Sequence, residues 1–263
     1  MPPKRKRGTY NSTRPGKRRR TGIFVPTAVV NARKGYTSVA RTRGGQVTGE
    51  MKYFDSVREN VAIAASATWA NTVLDPNVYP VANMNCLFAP TQGAGVNQRI
   101  GKACNMLKVK LNGLITMPAQ TNQALADAGA MIRLMLVMDK QSNSAQMTGT
   151  QLMTSPGVAS AALAPLTHQN IDNFGRFIVL KDKMIMMADP NTTWDGTNVE
   201  QGGLIRRFKL NHKFRSPVQV RFNNTNGGTI ADIVDYSLHV IAITSNTDLN
   251  PFISYACRIN YKE

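Results

Sequence analysis

The chain has 263 residues, of which 42% are hydrophobic and 18% charged, which suits one large all-β domain or two small domains with a sizeable core. Its 32 Lys and Arg outnumber its 15 Asp and Glu, for a formal net charge of +17, so a polyanionic partner is expected. No run approaches the ~18 apolar residues that a bilayer crossing requires, so no membrane insertion is expected.

Residues 1–44 form the first segment. Before Glu50, the first acidic residue, stand Lys4, Arg5, Lys6, Arg7, Arg14, Lys17, Arg18, Arg19, Arg20, Arg33, Lys34, Arg41 and Arg43, thirteen cations without an anion. The rest of the chain carries nineteen cations against all fifteen anions, a net of only +4. The first segment is rich in Gly, Pro, Ser and Thr and poor in large aliphatics, so burial cannot offset its ordering entropy. It reads as a disordered basic arm in which all thirteen cations are candidate nucleic-acid-binding residues, neutralising phosphates and releasing condensed counterions. Tyr10, Phe24 and Tyr36 lie among the cations, placed either to stack on unpaired bases or to anchor the arm. Lys4, Arg5, Lys6 and Arg7, with Lys17, Arg18, Arg19 and Arg20, also have the form of nuclear import signals. The apolar stretch 23–30 is short and broken by Pro26, so no secretory signal is expected.

Residues 45–263 read as the second domain, and from about residue 47 the apolar pattern has period two. Val61, Ile63, Ala65, Ala67 and Trp69 alternate with small or polar residues, as do Leu107, Val109 and Leu111, and Ile132, Leu134, Leu136 and Met138. Residues 176–187 predict one long strand or a hairpin about Lys181-Asp182-Lys183. Phe208, Leu210, His212 and Phe214 predict a strand, and Val218, Val220 and Phe222 another after Pro217. Val234, Tyr236, Leu238 and Val240, then Ile253, Tyr255, Cys257, Ile259 and Tyr261, complete eight to ten strands, each expected to bury one face and wet the other. Short helical turns fit the 141–170 connection, where Pro156, Gly157 and Pro165 limit their length. The connections 71–98, 141–175 and 188–203 are candidates for exposed or interface loops. Many strands without a βαβ rhythm imply an all-β sandwich of two antiparallel sheets, jelly roll or immunoglobulin-like by pattern alone.

Catalytic and metal signatures are scarce, and no enzyme, cofactor or metal is expected. His168, His212 and His239 are isolated, and His212 reads as a core histidine on an apolar face. Cys86, Cys104 and Cys257 are odd in number and widely spaced, which predicts buried thiols in a reducing compartment. Asp232, Asp235 and Asp248 are hard oxygen ligands without a ligand pattern. Arg99-Ile100-Gly101-Lys102-Ala103 fails the Walker pattern, because Val96 holds the first glycine position and Ala103 the hydroxyl position.

Several segments, in order, resemble the capsid proteins of small circular Rep-encoding single-stranded DNA viruses, the circovirus-, geminivirus- and genomovirus-like assemblage. They are the two arm clusters, Gly49-Glu50-Met51-Lys52-Tyr53-Phe54-Asp55, Gln98-Arg99-Ile100-Gly101-Lys102 with the strand through Gly113, Ile205-Arg206-Arg207-Phe208-Lys209-Leu210-Asn211-His212, and the terminal strand 251–261. The resemblance implies a single jelly roll with an inward basic arm and an icosahedral T=1 shell, typically of sixty copies. It also implies packaging of single-stranded DNA, a host nuclear import receptor, an unidentified host cell receptor, and residence in the virion and, during assembly, the host nucleus. A coat protein of a small RNA virus and a cellular nuclear nucleic-acid-binding module are the alternatives. The second of these calls for a basic patch on the domain itself.

Overall fold

The structure is a computed structural model that describes residues 50–74, 86–117, 129–154, 160–187, 193–194, 199–200, 204–247 and 250–263. The basic arm and its thirteen cations lie outside the described residues, as does Asp248. The described residues belong to one compact unit, Gly49–Glu263.

Ten strands are described: β1 (Met51–Ala62), β2 (Ala103–Thr116), β3 (Ala130–Asp139), β4 (Phe177–Met187), β5 (Thr193–Trp194), β6 (Val199–Glu200), β7 (Ile205–Phe222), β8 (Ile233–Asp235), β9 (Ser237–Thr244) and β10 (Phe252–Lys262). One sheet has the order β1-β10-β2-β7-β8 and a second the order β4-β3-β9, both antiparallel; β5 and β6 pair with each other. Residues 72–74 extend the second sheet beyond β9: Leu74 N donates to Val240 O at 2.7 Å and Ala242 N to Thr72 O at 2.9 Å. The chain thus runs β1, 72–74, β2, β3, β4, β7, β9, β10, and each sheet has four main strands drawn from both halves of the sequence. That order, β1-β10-β2-β7 facing (72–74)-β9-β3-β4, is the double Greek key of a jelly roll.

The space between the sheets is filled by one core cluster, to which β10 contributes Ile253, Tyr255, Cys257, Ile259 and Tyr261 on alternate positions, as the period-two pattern predicts. A second cluster, around Trp69, Met135, Val137, Met147, Leu152, Phe177 and Ile241, lies on the far side of the second sheet. The segments 63–74, 145–154 and 160–167 wrap over that side. Trp69 Nε1 donates to Thr167 Oγ1 at 2.8 Å, and Arg133 of β3 donates to Pro165 O and Thr167 O while pairing with Asp182 at 2.6 Å. Trp69 adopts a positive φ of 62° there, and a Cβ on Gly149 would stand 2.3 Å from its carbonyl oxygen. The two faces of β3 and β9 are therefore both buried, which corrects the one-wet-face expectation and explains the apolar run Leu134–Met138 of β3.

Other boundaries differ from the sequence pattern. The 61–69 alternation does not form a strand: β1 ends at Ala62, and the residues beyond it turn over the second sheet. Pro217 does not divide two strands. It sits exposed in a single β7, between the register positions Lys213 and Val218 where the pairing with β2 shifts, so its missing N–H breaks no regular ladder. In the 71–98 connection Leu74, Leu87 and Phe88 are core residues rather than exposed ones. His212 shares its face with Phe208, Leu210 and Phe214 as predicted, but it is only half-buried, its ring 4.7 Å from that of Phe214. His239 is the fully buried histidine. The three cysteines are buried free thiols, and desolvation pushes Cys104 and Cys257 up to about 12, so both stay protonated.

Gly113 lies mid-strand in β2, and β2 continues past it to Thr116. A Cβ at this position would stand 2.4 Å from Ser254 O and 2.5 Å from Phe208 Cζ. Gly113→Ala is expected to cost roughly 1–3 kcal/mol by urea unfolding, because relief requires parting β2 from β10. Gly175→Ala, whose Cβ meets nothing within 4 Å, should shift stability by less than about 1 kcal/mol.

Candidate nucleic-acid interface

With β3 and β9 covered on both faces, the outer face of the first sheet is broadly exposed among the described residues. Its residues fall into cross-strand rows set by the register of β1, β10, β2 and β7. One row reads Tyr53, Asn260, Lys108, Lys213; the next Asp55, Arg258, Lys110, Asn211; the next Val57, Ala256, Asn112, Lys209. Arg207 follows beside Leu114. Successive rows are two residues apart, or ~6.7 Å. Lys108, Lys110, Arg207, Lys209, Lys213 and Arg258 thus share one face with Asp55 as the only carboxylate in those rows. The domain's small net charge conceals this separation, so a basic patch exists on the domain where near-neutrality predicted none.

Asp55 is already occupied. Arg258 donates to it through Nε at 2.7 Å and Nη2 at 2.6 Å, and that hydrogen bond, with the carboxylate's charge, holds the guanidinium above its ordinary value. Arg221 is paired in the same way with Asp235. Among the described residues Lys108, Lys110, Arg207, Lys209 and Lys213 have no carboxylate within ion-pair distance. Their charge is available to an external anion. Ala256, the smallest side chain in the middle rows, leaves a shallow depression of ≈ 270 Å³ bordered by Val57, Lys110, Asn112 and Arg258.

The patch turns the corner at β7. Between β7 and β4 lies a depression of ≈ 370 Å³ lined by Lys183, Arg207, Phe208 and Lys209. Nearby His212 titrates below its ordinary value, first because burial disfavours the imidazolium and then because Lys181 repels it, so it stays neutral at physiological pH and adds no charge.

Other residues singled out from the sequence have structural work. Arg99 is buried and donates to Pro90 O, Gly101 O and Thr225 O while lying over the Phe222 ring. Lys52, 1% exposed, donates to Gln98 O at 3.1 Å and pairs with Glu263 at 3.2 Å. Both fix the 90–101 loop by its carbonyls, which is what the Gln98–Lys102 motif accomplishes here. Asp232 accepts from Thr225 Oγ1 and, at 2.8 Å, from Thr229 N, so this carboxylate and Asp235 serve internal contacts. Among the described residues no three His, Cys, Asp or Glu cluster as metal ligands.

Sequence reasoning missed the sheet face because it assigned all nucleic-acid contact to the arm. The signal was present in the cations at alternate positions 207, 209 and 213, and 108 and 110. Replacing Lys110, Lys209 and Lys213 together by Gln is expected to lower the slope of log affinity against log salt for single-stranded DNA by about 2, given ~0.7 per lost phosphate contact. The unfolding midpoint should not fall, since all three side chains are solvated.

No protein-family model matches the chain, and no curated protein matches it. Among solved structures it is similar to the crystal structure of a 60-mer BFDV capsid protein, with a TM-score of 0.26 and 8% identity over 83% of this chain and 96% of that one. So loose a match assigns no family, partner or activity.

Proposed function

We propose that the chain is a non-enzymatic coat protein of a small virus with a single-stranded DNA genome. Copies of the jelly roll would close into an icosahedral shell, with the basic arm and the basic sheet face turned toward the packaged genome. The observation that carries this reading is the pairing of an uncompensated polycation, residues 1–44, with a jelly roll whose one broad open sheet face is itself cationic. Exposed apolar side chains elsewhere, Ile171 at 86%, Met186 at 72% and Phe174 at 66%, suit burial against further copies. On this reading sixty arms neutralise on the order of 800 phosphates by one-for-one pairing. The clusters Lys4–Arg7 and Lys17–Arg20 would carry the chain to the host nucleus through an import receptor.

The basic sheet face gives specific support to a second reading, a cellular nuclear nucleic-acid-binding module acting as a monomer or small oligomer. Electron microscopy of the purified chain separates the two. Uniform closed particles are expected, and a version lacking residues 1–44 should still close, into shells without nucleic acid. Only monomers or small oligomers, across salt and nucleic-acid conditions, would favour the nuclear module.

A further inference from the structure

The open sheet face holds more than phosphate-binding charge. Tyr53, 38% exposed, stands at the β1 end of the row that continues through Asn260 to Lys108 and Lys213. The Arg258 guanidinium lies 5.9 Å from the Tyr53 ring centroid. Its two bonds to Asp55 hold that planar group in place. The depression over Ala256 opens in the adjoining rows, next to Arg258 and Lys110. An aromatic ring, a fixed guanidinium plane, a recess and a border of unpaired cations therefore occur together on one solvated surface.

We propose that this cluster is a stacking platform for unpaired bases, so that the domain itself, and not only the arm, distinguishes single-stranded from duplex nucleic acid. The inference rests on the nucleic-acid reading of the basic face and deepens it. One base lies on the Tyr53 ring beside Arg258 and its neighbour sits over Ala256, while phosphates reach Lys108, Lys110 and Lys213. Every base has a π-face, so this contact tolerates any sequence. A duplex hides those faces in its own stack and offers the surface phosphates alone. Asn112, Asn211 and Asn260 add neutral donors and acceptors between the cations.

The test uses the full chain, its Tyr53→Val and Tyr53→Trp variants, and three probes of equal length: oligothymidylate, the same backbone without bases, and a duplex. Valine keeps strand propensity while removing the ring. Tyr53→Val is expected to bind oligothymidylate about tenfold more weakly, with unchanged salt slope and unchanged affinity for the abasic strand and the duplex. Tyr53→Trp should keep the wild-type affinity, and its added fluorescence should be quenched by oligothymidylate but not by the abasic strand. Wild-type affinity in Tyr53→Val, or equal losses on all three probes, would overturn the platform. If the triple Lys→Gln substitution still lowered the salt slope, the basic face would stand without it. If that substitution also had no effect, the nucleic-acid reading of the face would fall as well.

Discussion

A sheet has two faces, and what covers each of them decides the organisation of this molecule. In the second sheet β3 and β9 are buried on both sides, by the first sheet and by the wrap anchored at Trp69 and Arg133. Among the described residues the first sheet is covered on one side only. Its outer face must then be compatible with water, and the sequence meets that requirement with Lys and Arg at alternate positions of β2 and β7 and at Arg258 of β10. A solvated face needs only mixed polarity. Several unpaired cations around one occupied carboxylate are more than solvation calls for, and they set the sign of any partner.

Charged donors fix two of the connections between strands. Lys52 and Arg99 reach into the core side and bind the carbonyls of the 90–101 loop, and Tyr261 donates to Gln98 O at 2.8 Å. Net contributions of ~1.5–3 kcal/mol for hydrogen bonds from charged donors make these larger restraints than ordinary loop contacts. Asp139 and Arg176, bonded at 2.6 Å with Lys140 N on Arg176 O, close the base of the long connection between β3 and β4. The Asp139 hydrogen bond raises the Arg176 guanidinium above its ordinary value, so Arg176 stays charged at any physiological pH.

Much of the fold was legible in the sequence where one face is wet. The alternation 253–261 and the run from Phe208 to Phe214 correspond to β10 and to half of β7. Legibility failed where the usual link between hydropathy and burial is reversed. In β1 the buried positions hold Lys52, Phe54 and Ser56 while Tyr53 and Val57 are wet, so no apolar alternation announces the strand. In β3 and β9 the alternate apolar positions 132–138 and 238–240 did mark strands, but not the burial of the second face, which Met135, Val137 and Ile241 fill. The cations of the candidate interface could be seen one strand at a time. Their convergence needs the order β10-β2-β7, which arises from pairings about 90 or more residues apart and leaves no local trace. Net charge, a sum over the domain, could not reveal a separation of charge between its faces.

The central claim is that the open face of the five-stranded sheet contacts nucleic acid together with the arm. Ultraviolet crosslinking of the full chain to single-stranded DNA, followed by peptide mapping, tests it most directly. The account predicts crosslinks in the arm and, from the domain, in β2 around Lys108 and Lys110, in β7 from Arg207 to Lys213, and in the β1–β10 pair around Tyr53 and Arg258. Crosslinks confined to the arm, or falling on the wrap over the second sheet, would contradict it.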